Sequence, residues 1–285
     1  MPSRSTEPTD SDSTPSTSTR VDTHAHVFHR GLPLTTGHRH APQLDAMLPE
    51  LLAHFDAHGV THGLLTAPSF LGTDNSYLLA ALAAAPWRLR GTVIIDEVFD
   101  PAALQDMARL GVVGIRLNML QRPSLHDLRS PFWRRVLETV VALNWHVEIY
   151  VESARLDQLM LPALEAGAKV VVDHFGSPGP ALGLRCPGFH GLLDALQAGR
   201  TWVKLSAPYR LGGMDAAPVA SALLAAGGPQ RLLWASDWPW TQNSAGMTYG
   251  KCLNWLEQWV PVAAQRDIIL GETPATLLGF NQIGH

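Results

Sequence analysis

Short runs of β-branched and other apolar residues recur about every thirty positions along the chain, and segments with helical periodicity separate them. Several runs are apolar on both faces, as in Val170-Val171-Val172. Strands buried on both faces that alternate with helices are typical of a parallel α/β protein. The eight predicted strands lie at 21–24, 61–67, 89–96, 112–119, 146–151, 169–174, 201–206 and 231–236.

The segments between the strands predict helices, several with Asp or Ser near the start and Gly just past the end. Clear examples lie at 75–85, 101–110, 131–143 and 156–166. Eight such units favour a single-domain (β/α)8 TIM barrel, with the helical stretch from Tyr249 onward as the closing helix plus an addition. The alternative is an open doubly wound sheet, which is disfavoured because Gly-x-Gly-x-x-Gly occurs nowhere.

Composition fits a soluble globular protein and narrows its partners. The 285 residues are 46% hydrophobic and 16% charged, with a net charge of -4. Because no Lys/Arg cluster appears, we expect no nucleic-acid partner. No apolar run of about 18 residues occurs, so no membrane span is expected. Cys186 and Cys252 form neither a disulfide framework nor a thiolate metal site, which favours a reducing, cytoplasmic location.

The first twenty residues differ in composition from the rest of the chain. Residues 2–20 contain eleven Ser/Thr and three Pro and no hydrophobic side chain. Such a segment cannot bury enough surface to offset its ordering entropy, so we predict a disordered tail over 1–20 and a barrel domain over 21–285. An organelle transit peptide is the alternative for this tail.

Polar residues follow several predicted strands at their carboxyl ends, where barrel enzymes place their chemistry. His24 and His26 stand two apart on strand one and point the same way, which suits metal binding or acid–base work. His174 ends strand six, and Asp237 follows strand eight. A carboxylate among histidines can deprotonate a water, so Asp237 is the candidate general base.

Arginines at the same end indicate an anionic substrate. Arg116, Arg122 and Arg210 would converge on the barrel mouth, and a guanidinium matches a carboxylate or sulfonate at two points. Asn118 belongs to the same predicted substrate-binding set, and Trp240 is expected to line the pocket beside Asp237. The remaining histidines do not fall at predicted strand ends and are interpreted as structural: His29, His38, His40, His54, His58, His62, His126, His146, His190 and His285.

Six segments together resemble the amidohydrolase superfamily, in the branch of 2-pyrone-4,6-dicarboxylate lactonases, 4-sulfomuconolactone hydrolases and sugar lactonases. The resemblance runs from about residue 21 to the 274–280 tail. The segments are Asp22-Thr23-His24-Ala25-His26, Gly72-Thr73-Asp74-Asn75, Gly114-Ile115-Arg116-Leu117-Asn118, His146-Val147-Glu148-Ile149-Tyr150, Asp173-His174-Phe175-Gly176 and Ala235-Ser236-Asp237-Trp238-Pro239.

The resemblance implies a hydrolase that opens a lactone ring. It implies that His24, His26 and His174 polarise the carbonyl, that Asp237 activates water, and that Arg116, Arg122 and Arg210 hold substrate carboxylates. Tyr150 matches a tyrosine that replaces a metal-binding histidine, so a two-metal site is not expected. No cofactor is required under this interpretation, and a single zinc on His24, His26 and Asp237 is the alternative.

Two positions depart from the dicarboxylate lactonases of that branch. Ser177 stands where an arginine is expected, and Trp240 stands where a histidine is expected. We therefore expect a carboxylated, sulfonated or sugar-acid lactone other than pyrone dicarboxylate. Other hypotheses are a zinc-dependent decarboxylase or amide hydrolase of the same superfamily and a non-catalytic binder of a small anion. A homo-oligomer is compatible with the sequence.

Overall fold

Eight parallel strands arranged in chain order form the sheet of the protein. The computed structural model describes residues 18–96 and 100–280. The strands are β1 Val21–Ala25, β2 His62–Thr66, β3 Leu89–Val93, β4 Val112–Asn118, β5 His146–Tyr150, β6 Lys169–Val172, β7 Thr201–Leu205 and β8 Leu232–Trp234. The main chain beyond β8 returns to β1 through a parallel bridge between Ala25 and Trp238. The predicted single-domain (β/α)8 barrel is confirmed, and the open sheet is excluded.

Helices connect successive strands and cover the barrel. They are α1 Leu48–His58, α2 Ser76–Ala84, α3 Pro101–Arg109, α4 Pro131–Ala142, α5 Ser153–Glu165, α6 Pro187–Gln197, α7 Ala216–Gly227, α8 Tyr249–Trp259, α9 Ala263–Asp267 and α10 Thr273–Leu278, with a π-helical turn at Ile268–Glu272. Side chains of Asp100, Ser130, Asp215 and Thr248 accept a backbone N–H in the first turn of α3, α4, α7 and α8. These caps satisfy donors that a helix leaves unpaired at its start.

Strands β6 and β8 end two residues earlier than the sequence predicts. His174 and Phe175 have φ values of 50° and 59°, and Asp237 has a φ of 57°. Few non-glycine residues adopt this left-handed conformation, and it often marks functional sites. The chain therefore turns sharply just where His174 and Asp237 are presented at the barrel mouth.

The described chain begins three residues before the predicted barrel domain, within the predicted tail. Arg20 accepts backbone hydrogen bonds from Thr61 and His62, so at least this residue of the predicted tail pairs with the barrel. Residues 1–17 of that tail, and His285, lie outside the described residues. No helix among the described residues has the length and apolar character needed to cross a membrane.

Candidate active site

Three imidazoles surround one carboxylate oxygen at the carboxyl ends of the strands. Oδ1 of Asp237 lies 3.6 Å from Nε2 of His24, 3.8 Å from Nε2 of His26 and 3.9 Å from Nε2 of His174. Among the described residues, Oδ1 of Asp237 and Nε2 of His24 are buried and have no hydrogen-bond partner. Buried polar atoms normally have partners, so this centre is built to receive an oxygen atom or a cation.

The other carboxylate oxygen of Asp237 is held by two neighbours. Oδ2 accepts from the hydroxyl of Tyr209 at 2.7 Å and from Nε and Nη2 of Arg210 at 3.0 and 2.9 Å. Burial alone would raise the pKa of Asp237, but effects of the opposite sign, of which the positive charge of Arg210 is the largest, outweigh it and hold this pKa well below its usual range. Asp237 is therefore an ionised carboxylate with one oxygen fixed and one available.

The three histidines are neutral at physiological pH. Burial is the largest cause in each case, and it lowers the pKa of His26 to about 3 and that of His174 to about 4. The pKa of His24 also lies well below its usual value because of burial and of nearby Lys204. A neutral imidazole carries one ring proton, so each ring offers one donor and one acceptor.

Each histidine is oriented by a hydrogen bond at Nδ1. Nδ1 of His26 lies 2.6 Å from the carbonyl oxygen of Thr66, and Nδ1 of His174 lies 2.8 Å from the hydroxyl of Ser206. Nδ1 of His24 lies 3.0 Å from Nζ of Lys204. These contacts aim the three Nε2 atoms at Asp237.

A charged layer supports the site from inside the barrel. Glu148 and Asp173 carry the negative charges, and Lys204 and Arg116 carry the positive ones. Nζ of Lys204 lies 2.6 Å from Glu148 and 3.1 Å from Asp173, and Arg116 lies 3.2 Å from Glu148 and 3.1 Å from Asp173. All four side chains are at most 3% exposed. Buried charges need such pairing to offset their lost hydration.

Two of the three predicted arginines pair with groups of the protein itself, and the third lines a cavity. Arg116 also donates to the carbonyl of Ala67, and Arg210 holds Asp237, so both have partners within the protein. Arg122 lines a side cleft of about 360 Å³ next to the mouth. Asn118 accepts from Arg39 at 3.1 Å, and both line the cavity over Asp237.

Tyr150 and Trp240 occupy different environments. The ring of Tyr150 packs edge to face against His174 with centroids 4.8 Å apart, and it lines the mouth cavity. Trp240 instead turns away: its indole donates to the carbonyl of Ser236 at 3.0 Å and packs near His54 of α1. Thr241, the next residue, lines the mouth in its place.

Sequence reasoning missed several residues of this site. Arg39 and His40 lie in the long β1–α1 loop and line the mouth cavity, although His40 was predicted to be structural. Tyr209 and Lys204 contact Asp237 and His24, respectively. Of these residues, only Lys204 could have been recognised from the sequence pattern, because a charged residue within an apolar strand is unusual. No sequence pattern marks the loop residues as part of the site.

A broad cleft opens beside the mouth. It has a volume of about 1020 Å³ and shares His40 and Thr241 with the mouth cavity. Tyr209 and Trp255 form an aromatic wall with ring centroids 6.3 Å apart, and Lys251 lies over the ring of Trp255. The cleft is large enough for a substituent that extends beyond a small ring.

The donor set at the centre could also hold a metal ion. His24, His174 and Asp237 each place one ligand atom within 4.8 Å of the others. Imidazole nitrogen and carboxylate oxygen are ligands that zinc accepts. The geometric triad differs from the predicted set by containing His174, while His26 also lies 3.8 Å from Asp237.

A barrel of eight parallel strands with three histidines and an aspartate at its mouth is the arrangement expected of an amidohydrolase-type enzyme. The model of the Amidohydrolase family matches residues 21–280, so the chain belongs to this family. The resemblance read from the sequence is therefore confirmed.

Individual relatives give the same result. A 4-sulfomuconolactone hydrolase from Hydrogenophaga intermedia is 28% identical and covers 90% of this chain and 88% of its own. A Pseudomonas putida crystal structure described as a candidate 2-pyrone-4,6-dicarboxylic acid hydrolase is 42% identical, with a TM-score of 0.85 over 92% of this chain and 98% of that chain. A similarly described Acinetobacter baumannii structure with citric acid bound is 34% identical, with a TM-score of 0.84 over 91% and 99%.

Proposed function

We propose that this protein hydrolyses the ester bond of a small anionic lactone. The observation that carries the proposal is the unpartnered Oδ1 of Asp237, which faces three neutral imidazoles in a buried pocket. The relatives named as sulfomuconolactone and pyrone dicarboxylate hydrolases support a lactone as the substrate class.

Asp237 acts as the general base in this proposal. Its Oδ1 takes a proton from a water molecule while the water oxygen forms a bond to the lactone carbonyl carbon. The ring C–O bond then breaks, and the leaving oxygen recovers the proton from Asp237. The carboxylate is ionised throughout the physiological range because Arg210 lowers its pKa.

The imidazoles differ in what they can offer the substrate. A carbonyl oxygen only accepts hydrogen bonds, so Nδ1 of His26 must donate to Thr66 and its Nε2 must be an acceptor. We therefore assign His26 to the attacking water instead of the carbonyl-polarising role that the sequence suggested. His24 and His174 polarise the carbonyl, with Tyr150 packed against His174.

The anionic group of the substrate is assigned to the arginines around the mouth. Arg39 and Arg122 line its cavities, while Arg116 and Arg210 add positive potential from positions paired with carboxylates. The cleft of about 1020 Å³ and the presence of Ser177 favour a lactone with a different shape from pyrone dicarboxylate. Carboxylated, sulfonated and sugar-acid lactones form the substrate class to test.

A zinc-dependent decarboxylase or amide hydrolase is the second candidate, favoured by the grouping of His24, His174 and Asp237. A zinc ion held by these residues would supply a Lewis acid. Elemental analysis of unsupplemented protein, with activity measured before and after chelation, separates the two candidates. Chelator-resistant lactone hydrolysis supports the first, and stoichiometric zinc with chelator-sensitive activity supports the second.

The direct test is hydrolysis of a panel of anionic lactones by wild type and by Asp237→Asn. Loss of a general base should lower kcat by roughly a thousand-fold. Asp106→Asn on the exposed face of α3 is the matched control and should keep wild-type kcat. Near-normal turnover by Asp237→Asn would remove Asp237 from the role of base, and no turnover of any panel member would count against a lactonase.

A further inference from the structure

Lys204 occupies an unusual position for a lysine. It lies on β7 inside the barrel and is fully buried. Its ammonium group lies between the carboxylates of Glu148 and Asp173, which stabilise the positive charge. Its third close polar neighbour is Nδ1 of His24 at 3.0 Å.

That contact fixes which nitrogen of His24 carries the proton. An ammonium group has three donors and no acceptor, so Nδ1 of His24 must accept. Oδ1 of Asp173 lies farther from the same Nδ1, at 3.3 Å, and it lies 3.1 Å from Nζ of Lys204, so the ammonium group is the closer neighbour of both atoms. The ring proton of neutral His24 therefore lies on Nε2, the atom that faces Oδ1 of Asp237.

His26 has the opposite arrangement two residues later. Its Nδ1 donates to the carbonyl of Thr66, which leaves Nε2 unprotonated. Histidines that bind metals through one nitrogen almost always donate the other N–H to a carboxylate, a carbonyl or water. His26 meets this condition, whereas Lys204 prevents His24 from meeting it.

We propose that Lys204 is a positioning residue that locks His24 in its Nε2–H tautomer, so that the centre presents a hydrogen-bond donor to the substrate and resists divalent metal at His24. Without the ammonium group, Nδ1 of His24 can donate to Asp173, and Nε2 becomes a free ligand atom beside His174 and Asp237. Lys204 thereby determines whether Nε2 of His24 donates a hydrogen bond to the substrate or is free to bind a metal ion. The inference shares the site of the proposed lactonase, but its test requires no substrate.

The tautomer is measured first on the wild-type protein. Nitrogen-15 spectra of histidine-labelled, metal-depleted protein distinguish protonated from unprotonated ring nitrogens, and His24→Gln identifies the signals of His24. We expect an unprotonated Nδ1 and a protonated Nε2 for His24, and the reverse for His26. A protonated Nδ1 on wild-type His24 would overturn the inference, whatever the outcome of lactone hydrolysis.

Metal binding tests the consequence. Cobalt(II) absorption and zinc calorimetry are compared for wild type, Lys204→Met and Lys251→Met, the last being a control that removes a positive charge from the surface cleft. Changes in the groups that support a ligand typically alter metal affinity 10- to 100-fold, so we expect Lys204→Met to bind the metal roughly that much more tightly than either other protein. Equal affinities, or tight wild-type binding that His24→Gln abolishes, would contradict the inference.

Lys204→Met leaves an excess negative charge on Glu148 and Asp173, and a second variant controls for its effect on folding. Lys204→Met leaves two buried carboxylates with one fewer partner, which can prevent folding. Lys204→Met combined with Glu148→Gln removes one charge of each sign and keeps Asp173 as the acceptor for His24. This double variant should show the proton of His24 on Nδ1, and its retention on Nε2 would contradict the role of Lys204.

Discussion

The hydroxyl of Tyr209 donates to the same oxygen of Asp237 that Arg210 holds, at a distance of 2.7 Å. This shared contact leaves the opposite oxygen, Oδ1, facing the three imidazoles. Oδ2 therefore anchors the side chain of Asp237, and Oδ1 is the oxygen available to act as a base. An oriented carboxylate is a better base than a freely rotating one because the reactive geometry is already formed.

Tyr209→Phe should lower kcat about 10-fold while leaving the fold intact. A hydrogen bond to a charged group contributes about 1.5–3 kcal/mol, and Arg210 retains part of the anchoring in the variant. The measurement is kcat and KM on an anionic lactone, with Tyr77→Phe as the control because its hydroxyl contacts Met47 on the surface. An unchanged kcat would show that Arg210 alone orients Asp237.

Arg39→Ala should weaken recognition of the anionic group. Arg39 lines the mouth and donates to Asn118 and to the carbonyl of Leu120. We expect kcat/KM for an anionic lactone to fall roughly 10- to 100-fold, mostly through KM, with a smaller effect on a neutral lactone. Arg30→Ala is the control, since Arg30 pairs with Asp45 on the exposed surface. Equal losses on both lactones would argue against a role in charge recognition.

The pH profile of kcat/KM should be flat from about pH 5 to about pH 8. The pKa of His174 is lowered to about 4 and that of His26 to about 3, so both rings are neutral across this range. Asp237 stays ionised because Arg210 holds its pKa low. Activity should fall only as the pH approaches 4 and His174 gains a proton. A change in kcat/KM centred near pH 6.5 would instead indicate that a catalytic histidine has an ordinary pKa.

The free energy of unfolding should decrease as the pH falls from about 6.5 to about 4. Burial lowers the pKa of His146, at the start of β5, to about 3, and His26 and His174 behave similarly. The unfolded chain binds these protons near pH 6.5, so it takes up more protons than the folded state in this window. Denaturant unfolding across pH measures the slope. His146→Leu should reduce the slope, because it removes one buried imidazole.

The sequence predicted that the strand-borne residues of the candidate site lie close together, because side chains at the carboxyl ends of parallel strands must meet at one end of a barrel. His24, His26, His174 and Asp237 were all located in this way. The residues that contact them were not predicted, because periodicity does not show that Lys204 contacts His24 across the barrel. Trp240 was expected in the pocket, but the turn at Asp237 directs its indole back to Ser236. Arg39 lies in a loop whose path no repeating pattern determines.

Closure of the barrel and assembly of the site depend on the same pair of strands. Asp22 accepts from the backbone and hydroxyl of Ser236, 214 positions away, and the amide of Asp237 donates to the carbonyl of His24. A chain emerging from the ribosome must therefore be synthesised through β8 and the turn after it before His24 can meet Asp237. No nascent fragment that lacks β8 and the turn after it can contain a working centre, so activity in a growing chain should arise in one step, when this segment joins β1.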